Sequence, residues 1–458
     1  MGLDERIAEW RGFVRQREAI AADVDELEAH LRDQIEGLES SGLSPDEAFL
    51  IAVGRMGQLD ALSREFAREH NERLWKQLVL GAGDDDPQSR QVWRRGHGLW
   101  LALIFAVAGA VLVKLPWLTS GPDALQVLIR NAGPLFLLAP AGYFLRCRRA
   151  SVRTTIAVLA PFAVAPVLLN VYPFAAGGAT ALLAAGHAVV VLWLCIGLAY
   201  ARGDWRGDRA RMDFIRFTGE WFVYLVLIGL GGGVLAAVTA SVFGAVRLDA
   251  SAFITDWLLP CGAAGAVVIA AWLVEAKQSV IENIAPVLTR VFTPLFTLLL
   301  LALIVASAVQ IAAGGGLVDA DRTVLITFDA VLVVVVGLLL YSLSARDGSL
   351  PPGWFDRMQF VLVASAIVVD AVVLAAMLSR IGAFGASPNK LASLGANVIL
   401  LVNLVGSASL QARWLWGREA SPVVGFARIE RWQTGLVPVY LAWAAIVVVV
   451  FPPAFGWA

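Results

Sequence analysis

Four ionisable side chains lie within long apolar stretches of this sequence, where they could do chemistry: Asp370, Asp329, Asp256 and Lys114. A charged group inside a membrane is costly unless it is paired or hydrated, so such residues often mark proton or ion pathways. Together they could form a proton or cation relay. They could equally be fixed pairs that hold helices together, with Lys114 reaching the membrane interface. Asp370 is the strongest functional candidate, because it lies nearest to the middle of its apolar stretch.

The elements that must position these side chains are predicted membrane-spanning helices. The sequence is 58% hydrophobic and 16% charged, with a mean hydropathy of +0.71, which is far from the balance of a soluble protein. Apolar runs of roughly 17 to 26 residues are long enough to cross about 30 Å of hydrocarbon as helices. We count eleven such runs, at 98–117, 131–145, 156–172, 178–200, 218–246, 251–274, 292–314, 323–345, 358–379, 391–412 and 433–452.

The second run is the weakest of the eleven. It is short and contains Pro134 and Pro140, so it could be a broken or re-entrant helix rather than a full span. The sequence therefore predicts an all-α protein with a bundle of about eleven transmembrane helices.

The orientation follows from the basic residues in alternate loops, because cytoplasmic loops are enriched in Lys and Arg. One set of loops holds 17 of them; its members begin at Arg146, Arg202, Lys277, Arg346 and Arg413. The opposite set holds 5, namely Arg130, Arg247, Arg322, Arg380 and Lys390. The first set is predicted to be cytoplasmic, which puts the N-terminus inside and the C-terminus outside a bacterial inner membrane.

An acidic, helical head precedes the bundle. Residues 1–97 hold 13 of the 36 Lys and Arg but 20 of the 37 Asp and Glu, a balance that argues against a nucleic-acid partner. Helices are predicted at 4–19, 22–39, 45–56 and 58–79, and Ser44 and Glu47 form a capping box for the third. We expect a cytosolic domain at 1–80, a flexible acidic linker within 81–97, and the transmembrane domain at 98–458.

Residues 23–66 of the head resemble the bacterial permease prefix domain 1. The matching positions are Glu28, His30, Leu31, Gly42, Ser44, Glu47, Ala48, Ala52 and the turn Arg55-Met56-Gly57. The resemblance implies a small helical module that docks a cytosolic protein partner or regulates the membrane segments that follow.

The predicted outer loop "RIGAFGASPNK", residues 380–390, resembles a motif of a bacterial membrane family called domain of unknown function 4153. Ala386 and Ser387 stand where that motif usually has Leu and Thr, and Lys390 replaces an Arg. The resemblance implies an integral membrane protein and supplies no catalytic residues.

Signatures of enzymes and of bound cofactors are missing from the sequence. It has no phosphate-binding loop, no His-Glu-x-x-His zinc motif and no Gly-x-Ser-x-Gly elbow. We therefore predict no enzyme activity, no cofactor and no metal site, with the lipid bilayer as the main partner.

Two functions remain open. In the first, which we prefer, the head docks a partner while the bundle anchors or senses, which makes a regulatory or scaffold protein. In the second, the bundle is a secondary transporter of a small solute. The sequence stretch Asn403, Ser407 and Gln411 is predicted to face another helix or a wet cavity, as polar groups in membrane helices usually do.

Overall fold

The structure, a computed structural model, describes residues 3, 7, 24–40, 44–56, 87–175, 177–245, 247–276, 284–312 and 322–457. It is 87% helical, and the residues that it describes contain no strand. The predicted all-α fold is therefore confirmed. The chain divides into two compact units, Met1–Arg94 and Arg95–Ala458.

The first unit contains helices α1 (Val24–Glu39) and α2 (Pro45–Met56). Their buried faces meet in one small core, to which α1 contributes Leu31 and Ile35 and α2 contributes Phe49. In α1 the apolar residues Leu31, Ile35 and Leu38 recur at three- and four-residue spacing, so they share one face that packs into this core. The helices predicted at 4–19 and 58–79, and the helix end at Gly57, lie outside the described residues apart from Ile7, which joins the core.

The predicted capping box at the start of α2 is present. The backbone N–H of Ser44 donates to the Glu47 carboxylate at 3.1 Å, and the backbone N–H of Glu47 donates to the Ser44 hydroxyl oxygen at 3.4 Å. The hydrogen bonds from the side chain and the backbone of Ser44 lower the pKa of Glu47. Both exchanges satisfy amide groups that a helix start otherwise leaves open.

The second unit is a bundle of long apolar helices. In chain order they are α3 (Pro87–Thr119), α4 (Ala124–Arg130), α5 (Ala132–Cys147), α6 (Val152–Val171), α7 (Ala179–Tyr200), α8 (Asp208–Ala245), α9 (Ser251–Ala276), α10 (Ile284–Ala312), α11 (Arg322–Ser344), α12 (Trp354–Phe384), α13 (Pro388–Leu415), α14 (Pro422–Val449) and the short α15 (Phe451–Ala454). Among the described residues, ten helices are long and apolar enough to cross a membrane, or eleven if the bent pair α4–α5 is one span. The chain is a multi-pass membrane protein.

The weak second run forms α5, which a sharp bend separates from α4; the two helices together are a broken span or a re-entrant segment. Helices α4 and α5 meet at Asn131 with a bend of 62°, so the break precedes Pro134 and Pro140. The Asn131 amide donates to the Val127 carbonyl at 3.0 Å and exchanges hydrogen bonds of 3.2 and 2.7 Å with Asn170 on α6. The two side-chain amides thus give the bend hydrogen bonds in addition to those of the backbone and tie it to α6, in keeping with the need to satisfy polar groups at membrane depth.

Several helix starts differ from the sequence prediction: α3, α8 and α14 begin ten or eleven residues before their predicted apolar runs. Helix α3 begins at Pro87, so the last residues of the predicted flexible linker are helical. A proline is favoured at the first helical position, because its fixed φ suits a helix and its missing N–H would have no partner there. Helix α14 begins at Pro422, eleven residues before the predicted apolar run, because its first turns carry charged residues that an apolar run excludes.

The bundle has two main cores. The aromatic core lies among α3 and α5–α9 and includes Phe144, Trp193, Tyr200, Phe214 and Phe217. The second core lies among α10–α14 and consists mainly of Leu, Val and Ala side chains. Most of the buried polar side chains in the described residues belong to this second half.

Candidate functional site

Lys114 and Asp256 meet at one end of the bundle. Asp256 lies in a π-helical turn of α9, Ile254–Leu258, and the Lys114 ammonium group donates to the Asp256 backbone carbonyl at 2.5 Å. The rings of Trp117 and Trp257 flank the ammonium group at 3.8 and 4.3 Å. The Asp256 carboxylate instead accepts from Thr255 at 3.1 Å. Lys114 is therefore held by a carbonyl and two rings, which stabilise a cation without a carboxylate.

Asp329 lies near the start of α11 and is bound by helix α13. The Asn397 amide donates to the Asp329 carboxylate at 2.8 Å, and Ser393 lies one helical turn before Asn397 on the same face of α13. The same Asn397 amide contacts the Met377 sulfur on α12 at 3.4 Å. Asp329 thus lies where α11, α12 and α13 meet.

Asp370 on α12 is completely buried, with 0% of its surface exposed. Within the described part of the chain, neither oxygen of its carboxyl group has a hydrogen-bond partner. Among the described residues, Asp329 is the charged group that interacts electrostatically with it. Two ionised carboxylates repel each other, so this interaction disfavours the state in which both are ionised.

The depth of Asp370 is close to the middle of the bundle. It is 16 residues from the first residue of α12 and 14 from the last, which corresponds to about 24 and 21 Å at 1.5 Å per residue. Asp329 is 7 residues from the start of α11, or about 10 Å from the same end at which α12 finishes. The two acids therefore lie at two depths of one region, with Asp329 nearer to the end.

The four predicted site residues thus form two separate sites. Lys114 and Asp256 belong to α3 and α9, whereas Asp329 and Asp370 belong to α11 and α12. No contact between the two pairs is present among the described residues. A single relay through all four is not what the structure shows, and only the second pair lies at depth without compensating charge.

The polar stripe of α13 faces α14, as predicted for packing between helices. The Asn403 amide donates to the Tyr440 hydroxyl at 2.7 Å, and the Gln433 amide donates to the Ser407 hydroxyl at 2.5 Å. Gln433, Tyr440 and the buried Gln359 of α12 were not singled out in the sequence. The sequence spacing could have identified Gln359. It precedes Asp370 by eleven residues, or three helical turns, and so lies on the same face of α12.

Glycines let α13 and α14 pack closely. A Cβ atom at Gly395 would overlap the ring of Trp443, and one at Gly406 would overlap the ring of Trp432. The two glycines are eleven residues apart on α13, and the two tryptophans are eleven residues apart on α14. The order is reversed because the helices run in opposite directions. By contrast, the stretch "GLGGG" in α8 has small residues that suit close approach of another helix or a bend, but no described atom lies within 4 Å of Cβ positions at Gly229 or Gly233.

The predicted outer loop "RIGAFGASPNK" is mostly helical: residues 380–384 end α12, residues 388–390 begin α13, and only residues 385–387 form the turn between them. Gly385 adopts φ +74°, which favours glycine, and the Ser387 side chain caps α13 ahead of Pro388. The Lys390 ammonium group donates to the Gly385 carbonyl at 2.8 Å. These residues close the turn between α12 and α13.

One end of the bundle is rich in arginine; we define it by the loops 148–151, 201–207, 345–353 and 416–421 and call it the arginine-rich end. Arg346 illustrates how its arginines are held: it pairs with Asp356 at 2.8 Å and lies over the rings of Trp414 and Phe426. At the opposite end, the Ala175 backbone N–H donates to the Trp457 carbonyl at 2.9 Å. Alternate loops thus gather at the same end.

Comparison with family models, curated proteins and solved structures gives no match for this chain. The resemblances of the head and of the α12–α13 turn therefore stay predictions. In the part of the chain that the structure describes, no three His, Cys, Asp or Glu side chains come together to hold a metal ion.

Proposed function

We propose that this chain is a secondary transporter of the bacterial cytoplasmic membrane that binds a proton at Asp370, with Asp329 as its neighbour. The observation that carries the proposal is a carboxyl group at mid-depth, fully buried, with neither oxygen hydrogen-bonded in the described structure. An ionised carboxylate there would be uncompensated, and binding a proton removes its charge. A group that changes charge at the membrane centre is what proton coupling needs.

A proton suits this pair better than a metal ion. Metal cations of the Na⁺ or Ca²⁺ type are bound by several oxygen ligands arranged around one point. Among the described residues, no three His, Cys, Asp or Glu side chains come together to hold a metal ion, and the Asn397 amide beside the pair donates its N–H to Asp329.

The test compares wild-type protein with the variants Asp370→Asn and Asp329→Asn, each purified at full length, by infrared spectroscopy and by proton uptake. Infrared difference spectra between acid and neutral pH should contain the carbonyl band of a protonated buried carboxyl group in the wild type and lose it in Asp370→Asn. In proteoliposomes, Asp370→Asn should abolish pH-driven proton uptake while the protein stays folded, because the amide keeps the shape but cannot ionise. Proton uptake at the wild-type rate in both Asp370→Asn and Asp370→Leu would contradict the proposal.

A second candidate function is regulatory, and the separate head favours it. Residues 1–94 form a compact unit with their own small core, and a prefix domain would dock a cytosolic protein. Removal of residues 1–80 separates the two candidates. Proton uptake that persists without the head assigns transport to the bundle, whereas a lost cellular phenotype with intact uptake assigns the regulatory role to the head.

We propose the orientation in which the arginine-rich end faces the cytoplasm and the C-terminus lies outside. The arginines of that end gather from alternate loops, as the positive-inside rule expects. A membrane-impermeant thiol reagent added to intact cells should label a cysteine at Ser387 and spare one at Arg206, an exposed residue of the loop 201–207. The reverse pattern would overturn the orientation.

A further inference from the structure

Buried polar atoms without partners are concentrated between α12, α13 and α14. Both amide atoms of Gln411, the amide oxygen of Gln433 and the amide nitrogen of Gln359 have no hydrogen-bond partner in the described chain. Each of these side chains is at least 97% buried. An unsatisfied buried polar group costs about 1–3 kcal/mol, so three such amides in one region of the bundle require a physical reason.

These groups lie at regular depths between the arginine-rich end and Asp370. Gln411, Ser407 and Asn403 are 4, 8 and 12 residues from the last residue of α13, or about 6, 12 and 18 Å from it at 1.5 Å per residue. Asp370 lies about 24 Å from the same end, along α12. Polar groups thus follow one another at intervals of about 6 Å.

The buried face of α12 is directed toward this series. Gln359 and Asp370 are three helical turns apart, and Met377 lies two further turns along the same face. Met377 contacts Asn397 of α13, so this face is turned toward α13. Gln433 joins the series from α14 through its hydrogen bond to Ser407.

The series is uncharged. Glu430, one turn from Gln433, interacts with Arg216 of α8, and Glu419, near the end of α13, is held by Arg413 and Arg428 at 3.0 and 2.5 Å. Primary amides and hydroxyls both donate and accept hydrogen bonds, as water does. They can satisfy a file of water molecules without attracting ions, and buried waters typically bind such groups.

We infer that water from the arginine-rich end reaches Asp370 between α12, α13 and α14, along a polar path formed by Gln359, Gln411, Ser407 and Gln433. This inference rests on the proposed proton site and adds its route. A proton that binds or leaves Asp370 moves along hydrogen-bonded waters in the path, and no covalent change of the protein is needed. Asp329 connects the site toward the opposite end.

The experiment measures the reaction of introduced cysteines with a small, positively charged, water-soluble methanethiosulfonate. The background is full-length protein in which Cys147, Cys195 and Cys261 are replaced by Ala. Ser407→Cys and Gln411→Cys probe the path. Two residues of α7 are controls at matched depth: Leu192 and Ile196 are 8 and 4 residues from its last residue and are fully buried in the aromatic core.

Both path cysteines should react at least about tenfold faster than the cysteines at Leu192 and Ile196, which are reached only through local opening of the helices. Path cysteines that react as slowly as those controls would overturn the inference. Size-exclusion profiles and tryptophan fluorescence identify variants that do not fold.

A second measurement does not depend on cysteine variants. The infrared band of the Asp370 carboxyl group shifts when its proton exchanges for a deuteron, and Gln411→Leu should slow this exchange several-fold. Leu192→Met is the matched control and should leave it unchanged. If the exchange rate is unchanged in Gln411→Leu and the band is still present, the water path is contradicted but the proton site is not. A band missing from the wild type would remove the proton site itself.

Discussion

The two halves of the bundle use their interiors differently. In the aromatic core, rings pack on rings: Phe217 lies 5.1 Å from Phe144 and 4.9 Å from Tyr200, between ring centroids. In the second half, aliphatic side chains surround Asp370 and a series of amides with unpaired atoms. Lipid is as apolar as a protein core, so close packing is what stabilises membrane helices. The first half has this close packing throughout its core, whereas the second half has unsatisfied polar groups in place of part of it.

The largest difference should appear when a ring of the aromatic core is removed. Phe217→Ala should lower the free energy of unfolding by about 3 kcal/mol, since it deletes contacts with four neighbouring rings and leaves a cavity. The measurement is unfolding in detergent, followed by tryptophan fluorescence. Phe222→Ala on the same helix is the control, because Phe222 is 59% exposed and should change stability little. Equal effects of the two would break the distinction.

In the second half, an added side-chain atom should lower stability only where two helices are in close contact. Gly406→Ala should destabilise by about 2 kcal/mol, because its Cβ would overlap the Trp432 ring and force an over-packed seam. Gly435→Ala in α14 is the control, with no atom within 4 Å of its Cβ position. The same unfolding assay applies. A silent Gly406→Ala would mean that α13 and α14 are not in close contact.

Removal of the buried acid should raise the free energy of unfolding rather than lower it. Asp370→Leu should raise the free energy of unfolding by about 1 kcal/mol, because it replaces an unsatisfied polar group with an apolar one. Leu192→Asp, at a buried position of the aromatic core, should be strongly destabilising in the same assay. If Asp370→Leu also destabilises the protein, Asp370 has a structural partner. The two halves then differ less in how well their buried groups are satisfied.

The smallest effect is expected at the hydrogen bond between α13 and α14. Ser407→Ala should lower stability by only about 0.6 kcal/mol, the average value for hydrogen bonds between membrane helices. Val405→Ala, on the lipid-facing side of α13, is a control for the helix itself. A loss of several kcal/mol would show that the polar groups hold this half together, which would oppose the proposed path.

The sequence predicts the spans well and the site only in part. Long apolar runs reveal membrane helices because a helix must cross a fixed thickness of hydrocarbon; the broken or re-entrant helix was one of two alternatives, and its bend at Asn131 depends on a contact with α6. The pairing of Lys114 with a backbone carbonyl needs the π turn of α9, which leaves no periodic signal. Asp370 stood out by itself, but its isolation from any donor depends on how three helices pack.

The glycine and tryptophan pairs of α13 and α14 restrict how this protein can move. Gly395 with Trp443 and Gly406 with Trp432 repeat at the same interval on both helices. Sliding one helix past the other by a single turn would bring each indole against a larger side chain than glycine. The two helices are therefore locked in register and must travel as one rigid hairpin. Rearrangement that exposes Asp370 to alternate sides of the membrane must take place at the other faces of this hairpin, against α11 and α12.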